Sequence, residues 1–363
     1  MPAKHIGAIC RRCNILEATL TVRSDPLCRD CFVKYVHTKV IKRMEAFRTR
    51  HSTADQTRVL LLPVSFGVSS ITLLHILDGH LKAQNERTGR KGFALHVLFV
   101  EEELSTREEL EKKVGFLKER YGRHEFSSIH LSQIFKSGGN SDEISQTRME
   151  ALFSTIKSAT SLTDVAIILR TRLIVQFAQD SNCEGILWGD STTKLAEKVL
   201  SETAKGRGFT LPWQVADGMS PYGIPFYYPM RDVLKKEIIA HLDLVSPPLS
   251  PLLANGILAP TIAPPSAKNT TIDILMRQYF ESVEESYPSI VSNVVRTTSK
   301  LQAPLDANIS LCKLCKLPVN DDKLGIHGWG GDQAILTDAD EDRLGLCYGC
   351  SRAVGREGAA LLP

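Results

Sequence analysis

Apolar positions in the middle of the chain follow two alternating spacings. Residues 58–64 form a short continuous apolar run, which is typical of a strand buried in a parallel sheet. Apolar residues then recur every three or four positions from Ile71 to Leu81, which predicts a helix. The succession repeats, with strands predicted at residues 94–100, 126–131 and 184–190 and helices at residues 105–117, 164–179 and 272–285. We therefore predict an α/β fold, in which helices cover both faces of a parallel sheet.

Two segments of mostly small residues directly follow predicted strands. Residues 65–70, Ser-Phe-Gly-Val-Ser-Ser, join the first strand to its helix, and residues 188–196 follow the strand at 184–190. Ligands of parallel sheets bind beyond the carboxyl ends of the strands, where such loops can direct backbone N–H groups at a phosphate. The pair of loops favours a nucleotide-type pocket, and the alternative for the first loop is a plain tight turn.

The composition is that of an ordinary folded protein, which excludes fibrous and wholly disordered classes. Of the 363 residues, 43% are hydrophobic and 23% are charged. No apolar run approaches the ~20 residues of a membrane helix, and residues 1–7 lack a signal-peptide core. We expect a cytoplasmic chain with no membrane partner.

Basic residues are concentrated near the N-terminus. Residues 1–58 carry 12 Lys and Arg against 5 Asp and Glu, although the whole chain has a net charge of only +3. This asymmetry favours a polyanionic partner. The alternative is an amphipathic helix packed on the core with its charges in water. The candidate contacts are six basic residues interleaved with Tyr35 and Phe47: Lys34, Lys39, Lys42, Arg43, Arg48 and Arg50.

Eight of the nine cysteines form four Cys-x-x-Cys pairs. Two-residue spacing presents both thiolates to one metal ion, and two pairs complete a tetrahedral sulfur site that suits zinc. We predict two structural zinc sites, and redox dithiols or clusters are the alternatives. His327, between the last two pairs, is an alternative ligand, and the lone Cys183 is expected to be a small buried apolar residue. The pairs are Cys10/Cys13, Cys28/Cys31, Cys312/Cys315 and Cys347/Cys350.

These features divide the chain into four segments. Residues 1–57 form a zinc-ribbon-like module with a basic helix, and residues 58–243 form the α/β core. The Pro-rich residues 244–271 are a linker or a bound extended segment. Residues 272–363 contain a helix and the second four-cysteine module.

Residues 65–70 resemble the pyrophosphate loop of the N-type ATP pyrophosphatases, whose usual pattern is Ser-Gly-Gly-x-Asp-Ser. Together with the cysteine pairs on both sides of it, the loop is similar to that of the cytoplasmic tRNA 2-thiolation proteins, and most of all to their protein 2 family. The resemblance extends from about residue 10 to residue 350 and implies a Rossmann-like sheet of the pyrophosphatase kind. Further segments that carry it are residues 26–32, 189–197, 229–237 and 287–301.

This sequence departs from the active members of the family at the positions that bind phosphate, hold metal or supply thiols. Phe66 replaces a glycine whose freedom lets the loop curl around phosphate, and Ser69 replaces an acidic residue that can help to hold Mg²⁺. Thr193 and Lys194 replace an acidic pair. Active members carry three core cysteines, whereas this chain has only Cys183 between Cys31 and Cys312.

We therefore interpret the pocket as a degenerate nucleotide loop without catalytic residues. ATP binding is in question there, and no iron–sulfur cluster is expected, because one thiol cannot supply three cluster ligands. The degenerate loop comprises Ser65, Phe66, Gly67, Ser69, Ser70, Gly189 and Asp190.

The resemblance implies a subunit that lost its own catalysis. Such a subunit forms a heterodimer with the active tRNA 2-thiolation subunit, binds tRNA, and contributes to 2-thiouridine formation at the wobble uridine of tRNA Lys, Glu and Gln. ATP activates the uridine, and a thiocarboxylated ubiquitin-like modifier supplies the sulfur. Two alternatives are an active ATP-dependent tRNA sulfurtransferase with an unusual loop, and a zinc-dependent nucleic-acid or protein adaptor.

Overall fold

The computed structural model describes residues 7–22, 24–48, 58–102, 107–136, 141–254, 270–302, 310–319 and 345–363. The strands are β1 (Leu20–Val22), β2 (Asp25–Leu27), β3 (Val59–Pro63), β4 (Ala94–Glu101), β5 (Glu125–His130), β6 (Gly185–Leu187), β7 (Gly218–Met219) and β8 (Pro225–Tyr227). The helices are α1 (Arg29–Arg43), α2 (Val68–Thr88), α3 (Arg107–Arg120), α4 (Asp142–Thr155), α5 (Ala159–Asp180), α6 (Thr192–Ala204), α7 (Leu211–Gln214), α8 (Lys235–Leu244), α9 (Ile272–Ser286), α10 (Pro288–Thr298) and α11 (Tyr348–Ala359).

The predicted parallel sheet is confirmed. Six strands run in the order β5-β4-β3-β6-β8-β7, and only the short edge strand β7 is antiparallel to its neighbour. The strands β7 and β8 and the separate antiparallel hairpin of β1 and β2 were not predicted. With two or three residues each, they are too short to show a two-residue alternation in the sequence.

Helices cover both faces of the sheet, as the apolar pattern predicts. Leu60 and Leu62 of β3 belong to one apolar cluster with α1, α2, α3 and α8. Leu61 points to the opposite face and belongs to a second cluster with α4, α5, α6, α9, α10 and α11. None of the helices in the described ranges combines the length and apolar character needed to cross a membrane.

Several helices begin at a hydroxyl side chain that accepts a backbone N–H. Ser141, Ser158 and Thr271 cap α4, α5 and α9 in this way. Such caps are typically worth about 1 kcal/mol each. The capping pattern predicted for α3 begins at Ser105, which lies outside the described residues.

The start of the Pro-rich segment is bound to the core. Leu249 and Leu253 are buried in the first apolar cluster. The Arg120 guanidinium of α3 donates hydrogen bonds to the carbonyl oxygens of Pro247 and Pro248 at 2.8 and 3.1 Å. Residues 245–254 are therefore packed on the core and include a short 3-10 helix at Ser250–Leu252, and residues 255–269 lie outside the described part of the chain.

A buried ionic cluster joins α5, α6 and α9. Arg207 donates from Nη1 to Asp164 of α5 and from Nε to Glu202 of α6, both at 2.7 Å. Lys205 reaches both carboxylate oxygens of Asp273 at 2.8 Å. Two cations and three carboxylates satisfy one another here, whereas removal of one partner would leave an uncompensated buried charge.

Three histidines meet where α1, α2 and α8 pack. The Nε2 atoms of His37 and His241 lie 3.1 Å apart, and the ring of His75 lies 6.3 Å from that of His241. Burial, together with Arg120 and His37, lowers the pKa of His75 to about 4. Burial, together with the two other histidines, lowers the pKa of His241 to about 3. The folded protein therefore keeps both imidazoles neutral at neutral pH.

We predict that acid weakens the fold through this cluster. Between about pH 7.5 and pH 5.5 the unfolded histidines gain protons while the folded ones stay neutral, so unfolding becomes easier as the pH falls. The loss is about 1.4 kcal/mol for each of His75 and His241 at about pH 5.5, and it grows until the folded pKa is reached. Urea unfolding as a function of pH measures this loss.

The matched variant is His241→Phe, which removes one titrating group and keeps a ring of similar size. In the unmodified protein, His75 and His241 together cause a loss of unfolding free energy as the pH falls. We expect His241→Phe to show about half of that loss, because only His75 of the two remains. Contributions from other groups cancel in the difference between the two proteins. An identical pH dependence in both would show that His241 is not a source of acid sensitivity.

Candidate functional site

The N-terminal cysteine group combines a tight turn with a helix start. Cys10 and Cys13 lie in a turn closed by the Asn14 N–H, which donates to the Cys10 carbonyl at 2.8 Å, with Asn14 in the left-handed conformation. Cys28 caps α1 and Cys31 lies in its first turn. The four sulfurs lie within 4.8 Å of one another, and those of Cys13 and Cys28 are 3.9 Å apart.

The C-terminal group repeats this construction. Lys316, four residues after Cys312, is also left-handed, and its N–H donates to the Cys312 carbonyl at 2.8 Å. Cys347 caps α11, and Cys350 lies in its first turn. All four side chains are buried, their sulfurs also lie within 4.8 Å of one another, and those of Cys315 and Cys347 are 3.9 Å apart.

Both groups fit one tetrahedral metal ion. At a zinc–sulfur distance of about 2.3 Å, tetrahedral geometry places the sulfurs about 3.8 Å apart. The 3.9 Å separations in both groups agree with this value. Within the described ranges, these are the only sets of three or more potential ligands that converge. His327, the alternative ligand, lies outside those ranges.

The surroundings of the N-terminal thiols shift their pKa values in opposite directions. Burial raises the pKa of Cys10, but the N–H groups of Cys28, Cys13 and Arg12 outweigh burial and bring it to about 6. Burial and the neighbouring thiols raise the pKa of Cys31 to about 12. One thiol thus ionises at the expense of another, and a bound cation allows all four to be thiolates.

The predicted nucleotide loop follows β3, and at Phe66 burial of the ring compensates for a strained backbone. Phe66 is left-handed, with φ +55°, although its Cβ disfavours this region. Its ring is 5% exposed and stacks on Phe99 with the ring centroids 5.1 Å apart. The left-handed backbone costs roughly 1–2 kcal/mol, and burial of a Phe side chain contributes roughly 1.5–3 kcal/mol. Burial therefore offsets the strain, and the loop keeps its curl without glycine.

The two predicted loops meet in the structure. β3 and β6 are neighbours, so their carboxyl ends share one edge of the sheet. A Cβ on Gly189 would lie only 3.1 Å from the Cα of Ser70, so a side chain at this position would push the loops apart. Ser65 and Gly67 of the first loop and Asp190 of the second lie at the same edge of the sheet. The structure thus brings the two loops together, and a nucleotide-type pocket between them stays a prediction.

The residues that replace the acidic pair make structural contacts. The Thr193 hydroxyl donates to the buried carboxylate of Glu284 on α9 and accepts the Lys235 N–H at 2.9 Å. The Lys194 ammonium contacts Glu197 of its own helix at 3.0 Å. Lys194 is therefore bound to an acid instead of being directed at a phosphate. Sequence reasoning missed Glu284, because nothing in the local pattern of α9 signals a partner 91 residues away.

Cys183 lies at the opposite edge of the sheet. It precedes β6, whereas both loops follow the carboxyl ends of their strands. It is buried, as the sequence predicts, and burial raises its pKa to about 11. A buried thiol that resists ionisation is a poor nucleophile.

The predicted basic contacts divide into two kinds. Lys34 and Lys42 are exposed on α1. Lys39 and Arg43 dock the helix on the core: the Lys39 ammonium donates to the Asp232 carbonyl, and the Arg43 Nε to its carboxylate, both at 2.7 Å. Arg48 pairs with Glu45, three residues earlier in the chain, at 2.6 Å. Arg50 lies outside the described residues.

The interleaved aromatic residues serve packing. Phe47 is 1% exposed and contacts Phe93 and Tyr227 edge to face, with centroid distances of 6.0 and 4.9 Å. The hydroxyl of Tyr35 donates to Glu237 at 3.1 Å. These contacts fasten the N-terminal module to the core.

Comparisons with known proteins give a consistent result. A model of the family "Cytoplasmic tRNA 2-thiolation protein 2" matches residues 271–329. Proteins of that name from Phaeosphaeria nodorum and Pyrenophora tritici-repentis are 49% and 46% identical to the chain. The alignments cover 99% of both chains for the first and 98% of this chain and 97% of the other for the second.

A solved structure shares the fold. It is the U34-tRNA thiolase NcsA from Methanococcus maripaludis with its [4Fe-4S] cluster, with a TM-score of 0.60 and 17% identity. The match covers 85% of this chain and 95% of the thiolase. At this identity the likeness concerns the fold.

We predict that each cysteine group holds one zinc ion. The purified protein is expected to contain two zinc ions per chain, and Cys28→Ser to contain about one, because a structural zinc site uses all four ligands. Elemental analysis by mass spectrometry measures both. Hydrogen exchange in α1 should also rise in the variant.

The matched control is Cys183→Ser, which removes a cysteine outside both groups and should keep two zinc ions. Iron in place of zinc in the anaerobically purified protein would contradict the prediction. So would an unchanged zinc content in Cys28→Ser.

Proposed function

Since the chain belongs to the cytoplasmic tRNA 2-thiolation protein 2 family, we propose that it is a catalytically degenerate subunit of the complex that forms 2-thiouridine in cytoplasmic tRNA. The chain pairs with the active thiolation subunit, which carries out the chemistry on the wobble uridine of tRNA Lys, Glu and Gln. A thiocarboxylated ubiquitin-like modifier supplies the sulfur. The chain contributes surface for tRNA and stabilises its partner.

The observation that carries the proposal is the state of the shared pocket. Phe66 is packed against Phe99, and Thr193 and Lys194 are engaged with Glu284 and Glu197. Positions that hold phosphate or metal in an active relative thus make internal contacts in this chain. The scaffold of a nucleotide site remains, while its side chains serve packing.

The cysteine groups support a structural role for zinc. Four thiolates fill a tetrahedral site and leave no open position for substrate. The C-terminal group is also fastened to the core, because the Tyr222 hydroxyl donates to the Cys315 carbonyl at 2.7 Å and Arg172 donates to the Leu314 carbonyl at 3.2 Å. Zinc in this proposal holds both terminal modules on the core.

Exposed basic residues near the N-terminus support contact with tRNA. Lys34 and Lys42 lie on the exposed side of α1, and within the described part of the chain neither forms an ion pair with an acidic side chain. Such residues suit sequence-independent contact with phosphate. Arg48 and Arg50 extend the same basic segment.

One alternative remains supported by a specific observation. The loop at residues 65–70 curls through a left-handed residue at Phe66, and Ser70 closely approaches Gly189 of the second loop. An active ATP-dependent sulfurtransferase is therefore the second candidate. The adaptor alternative has less support, because the family relationship extends over nearly the whole chain.

We predict that the chain alone forms no 2-thiouridine. The chain, the active subunit and their complex are each incubated with ATP, tRNA transcript and thiocarboxylated modifier, and mass spectrometry of the digested nucleosides quantifies the product. Only the samples that contain the active subunit should yield product, and the complex should yield the most. Product from this chain alone would establish the alternative.

Ser69→Ala tests the pocket in the same assay. Because the Ser69 position lacks a carboxylate, its truncation should change product formation by the complex by less than about twofold. The matched control is the corresponding substitution of the acidic loop residue in the active subunit, which should abolish the product. A more than tenfold loss in a folded Ser69→Ala complex would show that this pocket takes part in the chemistry.

A further inference from the structure

We infer that a small cleft between Arg43, Arg231 and Arg296 binds one phosphate group of the tRNA backbone. The inference rests on the proposed function and deepens it, because it names a contact site for the RNA. The three arginines come from different parts of the chain: the end of α1, the segment that follows β8, and α10. No single stretch of sequence brings them together.

Hydroxyl groups complete the lining of the cleft. Thr192 lies at the first turn of α6, directly after the second loop of the degenerate pocket. Ser292 and Ser299 of the α10 region line the other side. Their hydroxyl hydrogens are directed at backbone carbonyls, so the arginines are the principal donors toward a bound group. The cleft therefore adjoins the nucleotide-like pocket and is distinct from it.

Arg231 is the most informative residue of this cleft. Its side chain is only 8% exposed, and its nearest acidic neighbour, Asp217 Oδ2, is 3.8 Å from Nη1. Among the described residues, no side-chain hydrogen bond satisfies this guanidinium. Burial, with a contribution from the nearby Arg43, lowers its pKa in spite of Asp217. The Arg231 guanidinium lines the cleft, so an acceptor that enters the cleft can receive its N–H donors.

The local charge balance favours an anion. Asp217 lies 3.7 Å from Arg43 and 3.8 Å from Arg231, so it is shared between the two. Asp232 is engaged by Arg43 at 2.7 Å. Arg296 is exposed, and no described acidic side chain pairs with it. Three guanidinium groups thus face two carboxylates, and one positive charge is left over at the cleft.

The size of the cleft selects the ligand. Its volume is about 100 Å³, whereas pockets that enclose a drug-sized ligand occupy about 300–1,000 Å³. A phosphate group fits, and a whole nucleotide does not. A phosphodiester of a longer RNA, which lies across the surface and inserts one phosphate between Arg231 and Arg296, satisfies both size and charge. Free ATP or inorganic phosphate is the competing source of the same group.

The experiment measures tRNA affinity of the assembled complex by fluorescence anisotropy as a function of salt. Arg231→Gln and Arg296→Gln are each expected to weaken binding by about fivefold and to lower the slope of log K against log salt by about 0.7–0.9, the effect of one lost phosphate contact. Lys112→Gln is the matched control, because it removes one exposed charge from α3. Its affinity should stay within about twofold of the unmodified complex.

Arg296→Gln keeps the test decisive if Arg231→Gln does not fold, because Arg296 is exposed. If both variants bind tRNA with unchanged affinity and slope, the inference is wrong and the proposed function stands. If the unmodified complex does not bind tRNA, the tRNA-binding part of the proposed function fails.

Two further measurements separate other occupants. In the first, ATP or inorganic phosphate competes with tRNA for the unmodified complex and for Arg231→Gln. If the variant loses this competition but keeps its tRNA affinity, the cleft binds a free phosphate and the inference is wrong. Loss of the partner subunit from both variants, with unchanged tRNA affinity in the complex that still forms, would assign the cleft to the subunit interface and overturn it as well.

Discussion

The convergence of four cysteine sulfurs on one point, twice in the chain, is the constraint on which the remaining structure depends. Each group joins a turn to a helix start that is distant in sequence, and each belongs to one of the two apolar clusters that flank the sheet. The sulfurs lie 3.9 Å apart without a disulfide, a spacing that suits four thiolates around one metal cation. The first group thereby orients α1 and places Arg43 beside the core. The second shares its cluster with Phe280, Val291 and Val295, so it supports α9 and α10.

The two loops at the carboxyl edge of β3 and β6 are held in place by internal contacts. The close approach of Gly189 to Ser70 preserves the meeting of the two loops. At Phe66, apolar burial offsets the backbone strain that a glycine would avoid. Thr193 exchanges a position at the pocket for a contact with Glu284. The free energy that holds the loops thus comes from internal packing and hydrogen bonding and needs no bound phosphate.

The sequence predicted the features that depend on local periodicity or short spacing. The β3 run is continuous and apolar because both faces of this strand are buried, and the Cys-x-x-Cys pairs carry their geometry in two intervening residues. The antiparallel strand β7 was missed, since two residues contain no period. The packing of Tyr35 and Phe47 on the core was not predicted, because composition does not distinguish an exposed ring from a buried one. The His37–His75–His241 cluster and the Arg231 cleft arise only from tertiary packing, because their members lie on separate elements that no local pattern relates.

The contact between Thr193 and Glu284 bears on which residues position 193 can accept. The Glu284 carboxylate is buried, and burial raises its pKa, although Thr193 and the Lys236 N–H both donate to it. An aspartate placed at position 193 would replace a donor by a second carboxylate at this buried place, and the two negative charges would repel each other. An acid at position 193 therefore requires a neutral residue at position 284, which by itself removes the acceptor for Thr193 and Lys236. Either single substitution is disfavoured, so the two positions are energetically coupled and accept an acid at position 193 only when they change together.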